Sequence, residues 1–414
     1  MRGRGPKPRS CSLRVNFNWT EKALRFLLLG FAFSLPLSIA LSEGFAYAGL
    51  VVWLLHVFSR REFSWTRCPY FWPMILFSGL AVLSAFRGLH PDVCFDKVDR
   101  LSLLTLVFMI VTVFGGDAGP RWSRRSALVF MFMAGTTVLG LYDAVRVPVE
   151  VFFQGVALFD AGNMRDPQMY LVGICLLSAV WLAGDASLRR WPLVVATLSN
   201  VLGLTLHFKR GAWISCLTVV AVMSLLAGRK KALLILPLVV VVLVAAPQTR
   251  ERLGMLSSEW SRVAGGRYAL WSRVAPALIT EHPFGIGYAG TTQEDFEGYG
   301  VRIQEGLNHV HNNVLQVAVE MGPAGLLTWL VWMGMAFWLL LKPVLQDRKK
   351  IDWVLLGAWG GFCGLLLNGL VEYNFGDSEI LMLICLLLGL SSLPLRRIDF
   401  DKKIDEAWTR LRSQ

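Results

Sequence analysis

The chain has 414 residues, 55% of them apolar and only 17% charged, with a mean hydropathy of +0.51. A soluble domain of this length carries more charge, so these figures exclude an ordinary cytosolic enzyme and point to an integral membrane protein. The formal charge of +12 reads as topology signal and contact with anionic lipid, not as a nucleic-acid footprint: zinc-finger spacing, P-loop and glycine-rich dinucleotide turn are all missing.

A spanning helix needs about 20 mostly apolar residues. In chain order, spans are expected near 23–41, 45–59, 69–86, 101–116, 126–145, 169–184, 191–208, 211–228, 232–247, 313–341, 353–371 and 379–395. The fold class is therefore an all-α polytopic membrane protein of about 12 transmembrane helices. It divides into nine spans with short loops (1–247), one large loop (248–312), and three further spans with a tail (313–414). Basic residues alternate with the spans. Arg2 to Lys22, Arg60/Arg61/Arg67, Arg121/Arg124/Arg125, Arg189/Arg190, Arg229/Lys230/Lys231, Lys342/Arg348/Lys349/Lys350 and Arg396 to Arg412 all fall on one side. The positive-inside bias then puts both termini in the cytoplasm. The first helix lacks a small-residue cleavage site and reads as an uncleaved anchor. Cys175, Cys216, Cys363 and Cys385 lie in spans, Cys11 and Cys68 on the cytoplasmic side, and only Cys94 faces outward. A lone outward thiol makes no intramolecular disulfide, and no metal-type cysteine cluster is present.

The outer face carries the polar chemistry. Residues 87–100 hold Arg87, His90, Lys97 and Arg100, and residues 146–168 hold Arg146, Asp160, Arg165 and Asp166. The segment from 248 to 312 is far longer than an ordinary connector. Trp260, Tyr268, Trp271, Phe284, Tyr288, Phe296 and Tyr299 give it too much aromatic surface for a disordered linker. Within it Trp271, Val274, Ala275 and Leu278 share one face at helical spacing, which predicts an amphipathic helix on the bilayer or against the bundle. His282-Pro283-Phe284-Gly285-Ile286-Gly287 should end that helix in a tight turn. His309-Val310-His311-Asn312 then sits where the loop meets the next span.

Each signal also has a plain reading. An outer arginine such as Arg210 often reaches lipid phosphate, Arg267 alone is an ordinary loop cation, and a lone His311 is more often structural than a base. Their order decides between the readings. Lys209-Arg210-Gly211-Ala212-Trp213, then Gly266-Arg267-Tyr268, then the His-Pro-Phe-Gly-Ile-Gly turn, then His311-Asn312 followed nine residues on by Gly322-Pro323-Ala324-Gly325 resembles the O-antigen ligase/polymerase superfamily. Gly325 is followed by Leu326-Leu327-Thr328, unlike protein O-glycosylating relatives, and the chain ends soon after the last span.

The resemblance implies a GT-C-like bundle with a periplasmic loop in the inner membrane of a Gram-negative bacterium. It implies glycosyl transfer from an undecaprenyl-diphosphate-linked glycan to a hydroxyl of lipid A-core, among membrane lipids and with no nucleic-acid partner. Repeat-unit polymerisation, or transfer to protein, are the alternatives within the superfamily. His311 would be the general base and Arg210 and Arg267 the diphosphate ligands, with Asn312 orienting His311 and His309 in support. Arg87, Lys97, Arg100, Arg146 and Arg165 are further candidate phosphate contacts. The physical basis is direct: arginine binds phosphate oxygens with a planar fork and stays charged, and imidazole exchanges protons near neutral pH. One displacement by the acceptor hydroxyl predicts inversion. Neither metal nor cofactor is implied, because the outer carboxylates Asp92, Asp96, Asp99, Glu372 and Asp377 do not cluster with the arginines in sequence. Secondary transport is the competing class, but the expected spans are almost free of charge, Arg25 and Asp143 apart, and show no internal repeat.

Overall fold

A chain this apolar must satisfy its backbone polar groups internally, and it does so with helices. The computed structural model describes residues 18–391 except 62, 116–123, 160–162, 164, 185–189, 235–236, 238–239, 242–244, 262–265, 302–307 and 347–350, and no strand occurs among the described residues. The helices are α1 (Asn18–Ser34), α2 (Ile39–Arg60), α3 (Phe71–Arg87), α4 (Pro91–Val98), α5 (Thr105–Phe114), α6 (Arg124–Phe153), α7 (Asp166–Ala183), α8 (Arg190–Leu206) and α9 (Arg210–Leu226). In the large loop come α10 (Pro247–Gly254) and α11, which runs Arg267–Ala269, a π turn Leu270–Val274 and Ala275–Glu281. The chain then forms α12 (Asn313–Gln346), α13 (Trp353–Asn368) and α14 (Ser378–Leu390).

By length and composition α2, α6, α7 and α12 can cross a membrane, and α3, α9, α13 and α14 are shorter apolar helices. The expected span at 101–116 begins as a 3-10 turn, Asp99–Leu104, before α5. Residues 235–236, 238–239 and 242–244 of the expected span at 232–247 lie outside the described residues. So do Arg121, Arg189, Arg348, Lys349, Lys350, most of the N-terminal basic segment with Cys11, and the tail.

α7 is buried almost all round, and α13 and α14 nearly so, which makes them the axis of the bundle. Gly357 and Gly364 lie on one face of α13, where a Cβ would collide with Leu176 and Leu171 of α7. Small residues allow this approach, the usual device where hydrocarbon offers no hydrophobic drive for helix association. Around the axis, Val51, Leu55, Phe58, Trp72, Leu76, Val145, Ile214 and Val331 stay exposed. Such a surface suits lipid and not water.

Side-chain contacts sort the helix ends into two groups. At one end Arg125 bonds the Leu390 carbonyl and Asp352, Tyr70 meets Ser391, and Arg229 donates to the Leu182 carbonyl. At the other, Arg165 donates to the Pro36 carbonyl, Arg100 to Gly376, and Asn374 to Gln168. Every candidate site residue belongs to this second end.

α12 departs from the single span expected at 313–341. Gly322, at φ 66 and ψ −173, breaks it into two helices. Pro323 has no N–H, so the break leaves the carbonyls of Val319 and Glu320 without helical partners. Ile286 and Gly287 donate to those two carbonyls, both at 3.0 Å. Neither contact surface has room for a side chain: a Cβ on Gly285 would strike Glu320, and one on Gly322 would strike Pro283. The His-Pro-Phe-Gly-Ile-Gly turn and the Gly-Pro-Ala-Gly element are thus two halves of one joint. α11 closes against it, burying Val274, Ala275 and Leu278 with Ile286, Phe296, Val310 and Val319. The amphipathic face packs on the bundle, the second of the two placements expected.

Candidate active site

The site is assembled on the loop between α13 and α14. Asn313, at the start of α12, accepts from the Asn374 and Phe375 amides at 3.0 and 3.2 Å and donates to Asn374 Oδ1 at 2.7 Å. Its own amide donates to the Gly369 carbonyl at 2.7 Å. Asn312 caps α12, accepting from Leu315 N, and donates to the Leu370 carbonyl. Asn312 therefore holds the loop, and among the described residues its side chain bonds Leu315 and Leu370, not His311. His311 has φ 52, a left-handed conformation rare for a residue with a side chain, and these asparagines fix the chain on its C-terminal side. On its N-terminal side Val310 is fully buried, its amide donating to Gln316 and its carbonyl accepting from Trp271.

This scaffold brings together residues far apart in the chain. His311 Nδ1 lies 2.7 Å from Glu372 Oε1, and Arg267 Nη2 lies 3.1 Å from Glu372 Oε2. Arg267 Nε also donates to the Val371 carbonyl at 2.8 Å. His309 Nε2 stands 3.7 Å from Glu372 Oε1, with its ring 4.4 Å from that of His311 and 5.4 Å from Tyr373. Burial opposes ionisation of Glu372, but His309, His311 and Arg267 outweigh it and hold the carboxyl well below its usual range. A carboxylate facing Nδ1 at this distance fixes the proton on Nδ1 and leaves Nε2 with the lone pair. Asp377, in the same loop, is pushed the other way: burial first, then Glu379, raise it to about 7 against the pull of His309 and Arg100.

Glu372 is the residue that reading the sequence did not place at the centre. It appeared only among outer carboxylates apart from the arginines, being 61 residues from His311. The fold reverses that separation. The usable signal was a lone acid at the outer end of a span otherwise free of charge.

The other expected residues divide. Arg210 opens α9 and donates to the Arg252 carbonyl on α10. It is tied to the site through its neighbour, since a Cβ on Gly211 would meet Asn368 and Val371. Arg100 reaches the same loop through Gly376. Lys97 donates to the Ala289 carbonyl, and Arg87 lies 6.0 Å over the Phe284 ring. Arg146 and Arg165 belong to a neighbouring cluster with Asp143 and Asp166. Cys94 is buried, like every described cysteine.

A divalent ion is a chemical option the sequence reading set aside. The ligand atoms of His309, His311 and Glu372 lie within 4.8 Å of one another, and two imidazoles with a carboxylate form a competent donor set. Arg267 competes for it, since its guanidinium already neutralises Oε2 of the shared carboxylate.

Residues 193–330 match the sequence model of the O-antigen ligase family. The match contains Arg210, Arg267, His309 and His311, and it supports membership of the O-antigen ligase/polymerase superfamily. Protein DETOXIFICATION 32 of Arabidopsis thaliana is 29% identical over 90 residues, which is 22% of this chain and 16% of that protein. The chain thus matches less than a fifth of that relative's length.

Proposed function

We propose that the protein transfers a glycan from a polyprenyl diphosphate to a sugar hydroxyl of lipid A-core, on the outer side of the inner membrane. The observation that carries this reading is the His311–Glu372 contact of 2.7 Å beside Arg267, within a family-matched segment. His311 Nε2 takes the proton of the acceptor hydroxyl as its oxygen attacks the anomeric carbon. The bond from that carbon to the diphosphate oxygen breaks, and its electron pair leaves with the diphosphate. Glu372 stabilises the imidazolium that forms, as a carboxylate does behind a catalytic histidine. Arg267 and Arg210 neutralise the departing diphosphate, where guanidinium charge is worth most. A single displacement inverts the anomeric centre.

The test combines purified protein, a polyprenyl-diphosphate glycan and lipid A-core, with and without chelator. Glycan on lipid A-core supports ligation, and lengthening of the lipid-linked glycan alone supports polymerisation instead. Transfer lost in chelator and restored by zinc assigns His309, His311 and Glu372 to a metal and overturns the base.

A further inference from the structure

A second polar cluster lies at the same end of the bundle, and its groups have no part in the chemistry above. Asp143 and His207 are wholly buried and Asp166 almost so, deep among α6, α7 and the turn after α8. Asp143 accepts from Tyr170 at 2.6 Å and Arg146 at 2.9 Å, and pairs with His207 at 2.8 Å. Asp166 is held by Arg165 at 2.9 Å, Asn163 at 2.8 Å and Arg146 at 3.4 Å. Arg165 also donates to the Pro36 carbonyl, and Arg146 has Glu150 at 3.7 Å. Asp143, Asp166 and His207 stand close enough to share a cation, but the Arg146 guanidinium already bridges the two carboxylates.

This network forms the polar side of a cavity of about 440 Å³. Arg146, Asn163, Arg165 and Asp166 line one part, and Leu37, Val138, Leu139 and Tyr142 the rest. Val138, Tyr142 and Arg146 follow one another at i, i+4 along α6, so one helix face supplies both characters. The size falls in the range of small-ligand sites. The charge balance rules on the ligand. Two arginines face Asp143, Asp166 and Glu150, so the cavity carries no surplus positive charge to draw a phosphate, contrary to the phosphate role expected for Arg146 and Arg165. It offers instead planar, fixed donors and acceptors beside an aromatic ring, which satisfy vicinal hydroxyls on one side and C–H groups on the other.

We infer that this cavity binds a sugar ring of the acceptor glycolipid, an inference that rests on the transfer reaction proposed above. Its place supports the assignment. Gln168, two residues after Asp166, accepts from Asn374 at 2.8 Å, and Asn374 is two residues from Glu372. A cavity of fixed size suits a core residue of constant structure, whereas a donor polymer varies in length.

Two variants on the rim test this: Val138→Trp fills the cavity, and Tyr142→Ala removes the ring that lies 5.6 Å from the Arg146 guanidinium. Each should raise the acceptor KM by about tenfold, with the donor KM within about twofold of wild type. Acceptor KM unchanged in both, or a rise confined to the donor KM, overturns the assignment. Calorimetric titration with delipidated core oligosaccharide separates the two proposals. Binding to the wild type that Val138→Trp abolishes upholds the cavity even where no transfer occurs. Binding that Val138→Trp leaves intact overturns the cavity and spares the reaction.

Discussion

Replacing Glu372 by glutamine removes the negative charge and one of the two acceptor oxygens while keeping the shape. The amide oxygen can then accept from either His311 or Arg267, and its NH2 faces the other. The base does its work by becoming an imidazolium, and that cation would then lack its counter-charge. With Nδ1 and Oε1 at 2.7 Å, the two charge centres are about 4 Å apart, worth about 4 kcal/mol at an effective dielectric of about 20. Glu372 is 17% exposed, and solvent screening lowers that to about 3 kcal/mol. The expected loss in kcat is therefore about 10²-fold. The assay is initial-rate transfer from a lipid-linked donor in detergent or nanodiscs, with the thermal midpoint measured in parallel. A midpoint close to wild type with kcat down by about two orders of magnitude fits the account. A folded Glu372→Gln protein turning over within about threefold of wild type refutes it.

Arg267→Lys keeps the charge but loses the fork that spans the Val371 carbonyl and Glu372; kcat should fall by about tenfold or more, and a wild-type rate argues against bidentate positioning. Gly322→Ala places a Cβ against Pro283 at a φ of 66. It should cost roughly 1–3 kcal/mol, read as a lower thermal midpoint, and an unchanged midpoint contradicts the two-part joint. Asp377 has a folded value of about 7 against an ordinary 3.8. Its protonated form therefore stabilises the fold fully below the ordinary value, and that stability is lost as pH rises through the folded one. Asp377→Asn should flatten the decline in wild-type thermal midpoint from about pH 4 to about pH 8, and parallel curves refute the assignment.

Much of this arrangement was legible in the chain. Apolar runs located the helices, and the 3.6-residue spacing of Trp271, Val274 and Leu278 located α11 and its buried face. The ordered motifs brought Arg267 and His311 into one hypothesis because both sit in segments with local signatures. Glu372 was missed because its one local mark, an acid at the end of a charge-free span, names no partner: its partners come from the large loop and the start of α12, joined only by the tertiary fold. The break in α12 was passed over for a different reason, since apolar runs on both sides of Gly322-Pro323 give one continuous hydropathy signal. Arg146 and Arg165 were read as candidate phosphate contacts because Asp143 sits inside an apolar span and Asp166 opens the next. Only packing shows the four as one charge-balanced set.

The most direct measurement of the central claim is transfer by His311→Ala, beside wild type, with donor binding followed separately. The account predicts that wild type moves the glycan from its lipid diphosphate to lipid A-core, and that His311→Ala binds the donor but transfers at least about 10²-fold more slowly. A His311→Ala protein that transfers at the wild-type rate would contradict it.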